Sequence, residues 1–324
     1  MLFDDSIRKV FVTGGAGFIG SHVVDALLGE GRSVTVFDNL SSGRQSFVDP
    51  HLGKPNFKFV HADLLDLDRV KAEIPGHDLV WHLAANTDIP GGYTQTDLDI
   101  KNCVIATYNV VEAMRTTGVQ RMLFSSTGAI YGELCRVDTA DETAGPLLPL
   151  SLYAAGKLGS EAFISAYCSL FGLRAWMFRF GNVIGNRMGH GVIYDFIQKL
   201  KRDPSHLEIL GDGRQEKNYF LVEECIAGMA HAFKHSPMTA ERPVDLFNLG
   251  TDSITGVKTI ARVIIEEMGL KNVEITYTGG ERGWPGDQPQ VHITSAKMNA
   301  LGWKAQKSSD EAVRLAARRV IADG

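Results

Sequence analysis

Cysteine is scarce in this chain. Four residues in 324, Cys103, Cys135, Cys168 and Cys225, stand far apart, with no C-x-x-C pair. That spread excludes a small disulfide scaffold and offers no zinc-ligand pattern, so buried free thiols and no metal are expected. Long apolar runs are also missing. No stretch approaches the roughly eighteen apolar residues that a membrane helix needs, and the N-terminus carries no apolar signal core. The expectation is a cytoplasmic chain with no membrane partner. Charge of one sign is lacking too: 33 Lys and Arg stand against 38 Asp and Glu, a net −5. Nothing in that balance attracts nucleic acid or an anionic surface. Repeats, low-complexity tracts and coiled-coil heptads are absent. What is present is an apolar fraction of 44% over 324 residues, enough for one large domain or two modest lobes.

The N-terminus carries the first positive signal. Lys9 to Thr13 reads as a short buried strand, followed at once by Gly14-Gly15-Ala16-Gly17-Phe18-Ile19-Gly20. From Ser21 to Leu28 the apolar residues Val23, Val24, Leu27 and Leu28 recur at helical spacing. Strand, glycine turn and helix are the setting that a dinucleotide fingerprint requires. Glycines permit a tight turn and close approach of backbone to a pyrophosphate. The helix N-terminus adds free N–H groups and the positive end of its dipole. The spacing is G-x-x-G-x-x-G, and a simple turn is the plainer reading. A second strand, Ser33 to Phe37, ends in Asp38-Asn39. A carboxylate at that tip binds ribose hydroxyls and repels a 2′-phosphate, which favours NAD over NADP.

The second signal is Tyr153-Ala154-Ala155-Gly156-Lys157. On a helix, i and i+4 share one face. A free phenol titrates near ~10, and an ammonium beside it favours phenolate. The pair then becomes a proton acceptor usable near neutrality. The plainer reading of this spacing alone is a solvated helix face.

Apolar strand-like runs recur at Val10–Val12, Val34–Phe37, Phe57–Val60, Leu79–Leu83, Arg121–Ser125 and Ala175–Phe180, separated by helical segments. This alternation predicts an α/β fold with a doubly wound parallel sheet, ligands binding beyond the carboxyl ends of its strands. From about Gly185 the texture becomes glycine-rich and charged. Helical pieces are expected at Val192–Lys201, Val222–His235, Val257–Met268 and Ser308–Ile321. The reading is a dinucleotide-binding domain over 1–184. A smaller substrate lobe covers 185–324, with about 222–250, including a strand near Val244–Leu249, returning to the first domain.

Thr13 to Gly20, Asp38-Asn39 and Tyr153-x-x-x-Lys157 together resemble the extended short-chain dehydrogenase/reductase family, closest to its nucleotide-sugar epimerase and dehydratase branch. Similar segments run down most of the chain: Ala62-Asp63-Leu64, His82-Leu83-Ala84-Ala85, Asn102, Phe124-Ser125-Ser126-Thr127, Tyr131-Gly132, Arg179-Phe180-Gly181-Asn182 and Gly211-Asp212-Gly213. The resemblance implies a Rossmann domain with NAD as cofactor. Its contacts would be Gly14, Gly17, Phe18, Ile19 and Gly20, then Asp38, Asn39, Ser42 and Gly43. Asp63, Leu64, Leu83, Ala84, Ala85, Asn102, Ser125 and Phe180 would complete them, together with Tyr153 and Lys157. It implies a nucleotide-diphosphate sugar as substrate. Tyr153 would take a hydroxyl proton, Lys157 would lower the phenol pKa and bind the nicotinamide ribose, and Thr127 would bond the same substrate oxygen. A strand-end turn residue is the other reading of Thr127. Asn182, Val192, Lys217, Arg282 and Val291 are carried over as substrate contacts. Lys217 stands where the branch usually has Arg, and Arg282 is otherwise a solvated surface residue. Val291 implies room beside the sugar.

Thr127 is followed by Gly128-Ala129, where sugar dehydratases of this branch carry an Asp-Glu pair. Water elimination needs that extra acid and base. The resemblance therefore implies epimerisation at C4 of a UDP-hexose or related sugar through a transient ketone. A keto-sugar reductase or dehydrogenase, another sugar-modifying relative (dehydratase or decarboxylase) and an idle NAD-binding regulator are the alternatives. Helical segments Val104–Arg115 and Ala155–Phe171 form a four-helix bundle between subunits in related enzymes. That implies a homodimer, with intrachain packing as the ordinary reading.

Overall fold

The computed structural model describes residues 1–137 and 139–323. Its centre is a seven-stranded sheet formed by β1 (Lys9–Thr13), β2 (Ser33–Asp38), β3 (Phe57–His61), β4 (Leu79–His82), β5 (Arg121–Thr127), β6 (Arg174–Phe180) and the strand Val244–Leu249. In space the order runs Val244–Leu249, β6, β5, β4, β1, β2, β3. β1 pairs in parallel with β2 and β4, β2 with β3, and β4 with β5. The α/β doubly wound sheet read from the sequence is thus present. Its strands are near-continuous apolar runs because both sheet faces are covered. Val10, Phe11, Val12, Val80 and Trp81 are fully buried.

Strands are added outward in one direction from β1 to β3, and in the other from β4 onward. The gap between β1 and β4 is therefore the switch point, where ligands bind in such sheets. The glycine loop leaves β1 there and Leu83–Ala85 leaves β4. Helices α1 (Phe18–Gly29), α2 (Leu67–Glu73), α3 (Ala106–Thr117), α4 (Leu134–Val137) and α5 (Leu152–Phe171) connect or follow these strands. A π-helical turn, Ile100–Ile105, precedes α3. The segment read as one helix from Val104 therefore begins its α-helical part at Ala106. π turns need i to i+5 bonding, which apolar spacing does not announce.

The chain divides into two compact units. One comprises Met1–Thr127, Leu152–Arg179 and Met229–Phe247; the other comprises Gly128–Ser151, Phe180–Gly228 and Asn248–Gly324. In the first, Phe11, Val80, Val110, Met114, Phe124 and Met177 belong to one core cluster. The second contains short strand pairs, such as His206–Ile209 with Glu274–Tyr277. Its helices include Val192–Arg202, Val257–Glu267 and Ser309–Ala322. The last is fixed by a capping box between Ser308 and Glu311. The four cysteines are buried free thiols. Among the described residues no helix is long and apolar enough to cross a membrane.

Candidate active site

The cradle at the switch point is made by backbone. Gly14 sits at φ +70°, and a Cβ there would lie 2.8 Å from the Ala84 backbone. A Cβ on Gly20 would lie 2.0 Å from the Gly14 carbonyl oxygen. Loop, helix and the β4 exit thus approach more closely than any side chain allows. Gly17 caps α1 in extended conformation without a side-chain cap. Phe18, Ile19 and Gly20 form the first turn, whose N–H groups have no acceptor within the helix. They lie at the positive dipole end, a fitting seat for a pyrophosphate.

Asp38 ends β2 and is 8% exposed. Its carboxylate accepts from the Ala16 amide at 2.9 Å and the Leu40 amide at 2.8 Å. Burial raises its pKa, and these bonds work against that rise. Asp38 therefore braces the glycine loop as well as standing where a ribose would lie. Asn39 donates to Asp63 Oδ2 at 2.9 Å. Asp63 Oδ1 accepts from the Leu65 amide, and the Leu64 carbonyl accepts from Asn109 Nδ2. Ser42 is exposed and Gly43 half-buried on the loop after β2. The amides of Leu83 and Ala84 each donate to Thr13 Oγ1 at 3.2 Å. Ala85 is the next residue, half-buried. Asn102 lies in the π turn and donates to the Leu98 carbonyl.

Behind these loops runs a buried polar chain. Ser160 Oγ donates to the Gly156 carbonyl, and Thr107 Oγ1 donates to Ser160 Oγ. Thr107 Oγ1 must then accept from His82 Nε2, 3.0 Å away. His82 Nδ1, left without a proton, accepts from Thr13 Oγ1 at 2.7 Å. Burial, helped by the Lys157 charge, lowers the imidazole pKa to about 3 and keeps it neutral. The chain ties the β1 and β4 loops to α3 and α5. The sequence showed His82 only as part of a matching segment; this role depends on partners distant in sequence.

α5 buries Ala154, Gly156, Lys157, Ser160, Glu161, Ile164 and Cys168. Burial recurs every three or four residues, yet three of these are polar. A helix face against a sheet is normally apolar, so the polar stretch marks a built site. Tyr153 is half-buried and its hydroxyl is hydrogen-bonded to Thr127. Burial pushes the phenol above its ordinary value; Cys103 and Asp99, on and just before the π turn, add to that, and the Thr127 bond opposes it. Lys157 Nζ donates to the Ser125 carbonyl at 2.6 Å and lies 4.8 Å over the Phe124 ring. Burial lowers the lysine pKa, and Cys103, Glu161 and Asp99 counter that. In the protein alone Lys157 is held by Ser125, and burial sets the raised direction of the phenol.

The second unit holds the remaining candidates. Phe180 is 9% exposed. The Asn182 side chain donates to the Asn218 carbonyl at 3.2 Å. Val192 opens the helix Val192–Arg202 after Gly191 at φ +95°. Lys217 Nζ is paired with Asp287 Oδ1 at 3.0 Å. Arg282 is paired with Glu133 and donates to the Asp287 carbonyl. Val291 is 6% exposed and pairs in register with Lys217. Both cations expected at a diphosphate are thus held by carboxylates here. Asp287 stands in the same loop as Arg282, but no sequence pattern marked it or Glu133 as a partner of these cations.

A profile of the NAD dependent epimerase/dehydratase family matches residues 10–250. A crystal structure of a UDP-galactose 4-epimerase is 36% identical, with a TM-score of 0.86, covering 97% of this chain and 99% of that one. The UDP-glucose 4-epimerase of Thermus thermophilus, solved in complex with NAD, is 31% identical with a TM-score of 0.82, over 96% and 98%. A UDP-glucuronic acid decarboxylase of Arabidopsis thaliana is 30% identical over 92% of this chain and 65% of its own length. The glycine cradle at the switch point, Asp38 at the tip of β2 and a profile match over most of the chain make this protein an NAD-dependent member of the epimerase/dehydratase family of nucleotide-sugar enzymes.

Proposed function

We propose that the protein epimerises a nucleotide-diphosphate sugar at C4, with a UDP-hexose as the favoured substrate. The observation that carries this reading is the Gly128-Ala129 pair directly after Thr127. Gly128 is buried, and a Cβ there would lie 3.1 Å from the Phe180 carbonyl and 3.4 Å from Ile293. Neither position carries an acid, and Gly128 has no room for one without rearrangement, so oxidation and return at a single carbinol is the favoured outcome.

In this reading Tyr153 accepts the C4 hydroxyl proton and later gives it back. Thr127, bonded to Tyr153, lies on the same proton path. NAD, when bound, supplies the hydride acceptor and donor. It would be held by the α1 N-terminus, Asp38 and the loop after β4, with Lys157 leaving Ser125 for a ribose hydroxyl. The phenol must lose its raised pKa when the site fills, and added positive charge beside Tyr153 acts in that direction. Lys217 and Arg282 would take the diphosphate in exchange for Asp287 and Glu133. Lys217 would do so as a point charge rather than a fork. Val291 would leave room for a substituted sugar. A decarboxylase is the second reading, favoured by the Arabidopsis relative.

The same proposal includes a homodimer. The helices α3 and α5 leave Tyr108, Phe163, Leu170 and Phe171 exposed, an apolar face suited to a second copy. A cytoplasmic location belongs to it as well, in keeping with four cysteines buried apart. The test is incubation of the purified protein with a panel of UDP-, GDP-, CDP- and dTDP-sugars followed by NMR. A C4 epimer from one of them is expected; none from any would end the proposal.

A further inference from the structure

Three consecutive residues at the end of β5 meet three residues on one face of α5. The Ser125 carbonyl accepts from Lys157 Nζ at 2.6 Å. Ser126 Oγ donates to Glu161 Oε1 at 2.5 Å. The Thr127 hydroxyl is bonded to Tyr153. Tyr153, Lys157 and Glu161 stand at i, i+4 and i+8, so they rise along a single helix stripe. Two of these rungs involve groups that the proposed reaction uses. The Ser126–Glu161 rung does not, yet it is buried, with Ser126 2% and Glu161 5% exposed.

A third element fixes the rung. Arg179 on β6, 4% exposed, donates through Nε to Glu161 Oε1 at 3.1 Å and through Nη2 to Oε2 at 2.8 Å. Glu161 thus receives a two-pronged guanidinium and a hydroxyl, a geometry that tolerates little sliding. A buried ion pair is a poor source of stability, because desolvation offsets the attraction. Apolar residues of similar size would serve packing as well. What the pair supplies instead is a fixed register between α5, β5 and β6.

We propose that Glu161, clamped by Arg179 and Ser126, is a positioning residue that sets the register of α5 on β5, holding the Tyr153 hydroxyl against Thr127. The inference rests on the reading of Tyr153 as the proton acceptor. Loss of the clamp lets the stripe shift, and a displacement of about 1 Å at the reacting group lowers turnover by up to about a hundredfold. Glu161 also opposes the burial that lowers the Lys157 pKa. Tyr153 itself is faced by Cys103 and Asp99 from the π-turn segment and by Thr127 from β5.

The experiment compares Ser126→Ala, Glu161→Gln and Tyr153→Phe with the parent protein carrying its NAD. The kcat and KM for C4 epimerisation and thermal unfolding are read for each, and the Tyr153 titration for the parent, Ser126→Ala and Glu161→Gln. The titration is isolated by subtracting the same variant with Tyr153→Phe. Glu161→Gln keeps the shape and removes the charge; kcat falls about tenfold or more while KM stays within about twofold. Ser126→Ala removes one oxygen and no charge, so it carries the test even if Glu161→Gln fails to fold. It lowers kcat several-fold and moves the Tyr153 titration upward, since a loosened Thr127 bond no longer lowers it. Unchanged kcat and unchanged titration in Ser126→Ala, whatever happens to unfolding, would overturn the inference while a dead Tyr153→Phe leaves the proton-acceptor reading standing. An active Tyr153→Phe overturns both.

Discussion

The dinucleotide cradle and the diphosphate candidates are built on opposite terms. At the cradle, Gly14, Gly17 and Gly20 act through what they lack, and their geometry follows from local spacing. A Cβ at Gly14 or Gly20 meets backbone at 2.8 Å or 2.0 Å. In the second unit, Lys217 and Arg282 would act through charge, and that charge is already engaged by Asp287 and Glu133. A site formed by backbone is ready before its ligand arrives. A site formed by paired side chains has to exchange partners first. The family's cofactor is therefore easier to read from this chain than its sugar.

The largest expected effect belongs to neither, but to Tyr153. Tyr153→Phe should cut turnover about a thousandfold while the protein keeps its NAD. Stopped assays with mass-spectrometric detection of retained dinucleotide measure both. Next is the cradle. Gly20→Ala drives a Cβ onto the Gly14 carbonyl, so retained NAD should fall by about a hundredfold or the fold should fail. Absorbance of the purified variant and its unfolding curve separate those cases. An NAD-replete Gly20→Ala protein would break the comparison. The paired cations come third. Lys217→Ala and Arg282→Ala should each raise KM about tenfold with kcat little changed, the loss of one charged hydrogen bond. Unchanged KM in both would remove them from the substrate site.

The smallest effect concerns the chain through His82. The fold holds the imidazole neutral, with its pKa near 3 against an ordinary 6.5. The unfolded chain binds a proton near pH 6.5 that the folded one refuses. Stability is then full above pH 6.5 and declines as pH falls toward 3. Chemical denaturation across that range should show the decline in the parent protein and a flatter dependence in His82→Gln.

How much of this was legible in the sequence divides the same way. The strands of the parallel sheet and the glycine turn came from apolar runs and spacing, because parallel strands are buried on both faces; their order in space did not. The i, i+4 relation of Tyr153 and Lys157 came from helical geometry. The raised phenol did not, because it depends on burial and on Cys103 and Asp99, placed by a π turn that leaves no apolar period. Ser126 and Arg179 stood in matching segments, but their bonds to Glu161 escaped. The partners are 35 and 18 residues apart, and no local pattern links them. Nor did anything mark Glu133 as the partner of Arg282, 149 residues away.

Deuterium at C4 of the sugar that the protein turns over tests the central claim most directly. If the protein inverts one carbinol and does nothing further, NMR of the product finds the label still at C4, with configuration reversed and no reduced dinucleotide released. Label at C6 of a dehydrated sugar, or in free reduced NAD, would contradict the account.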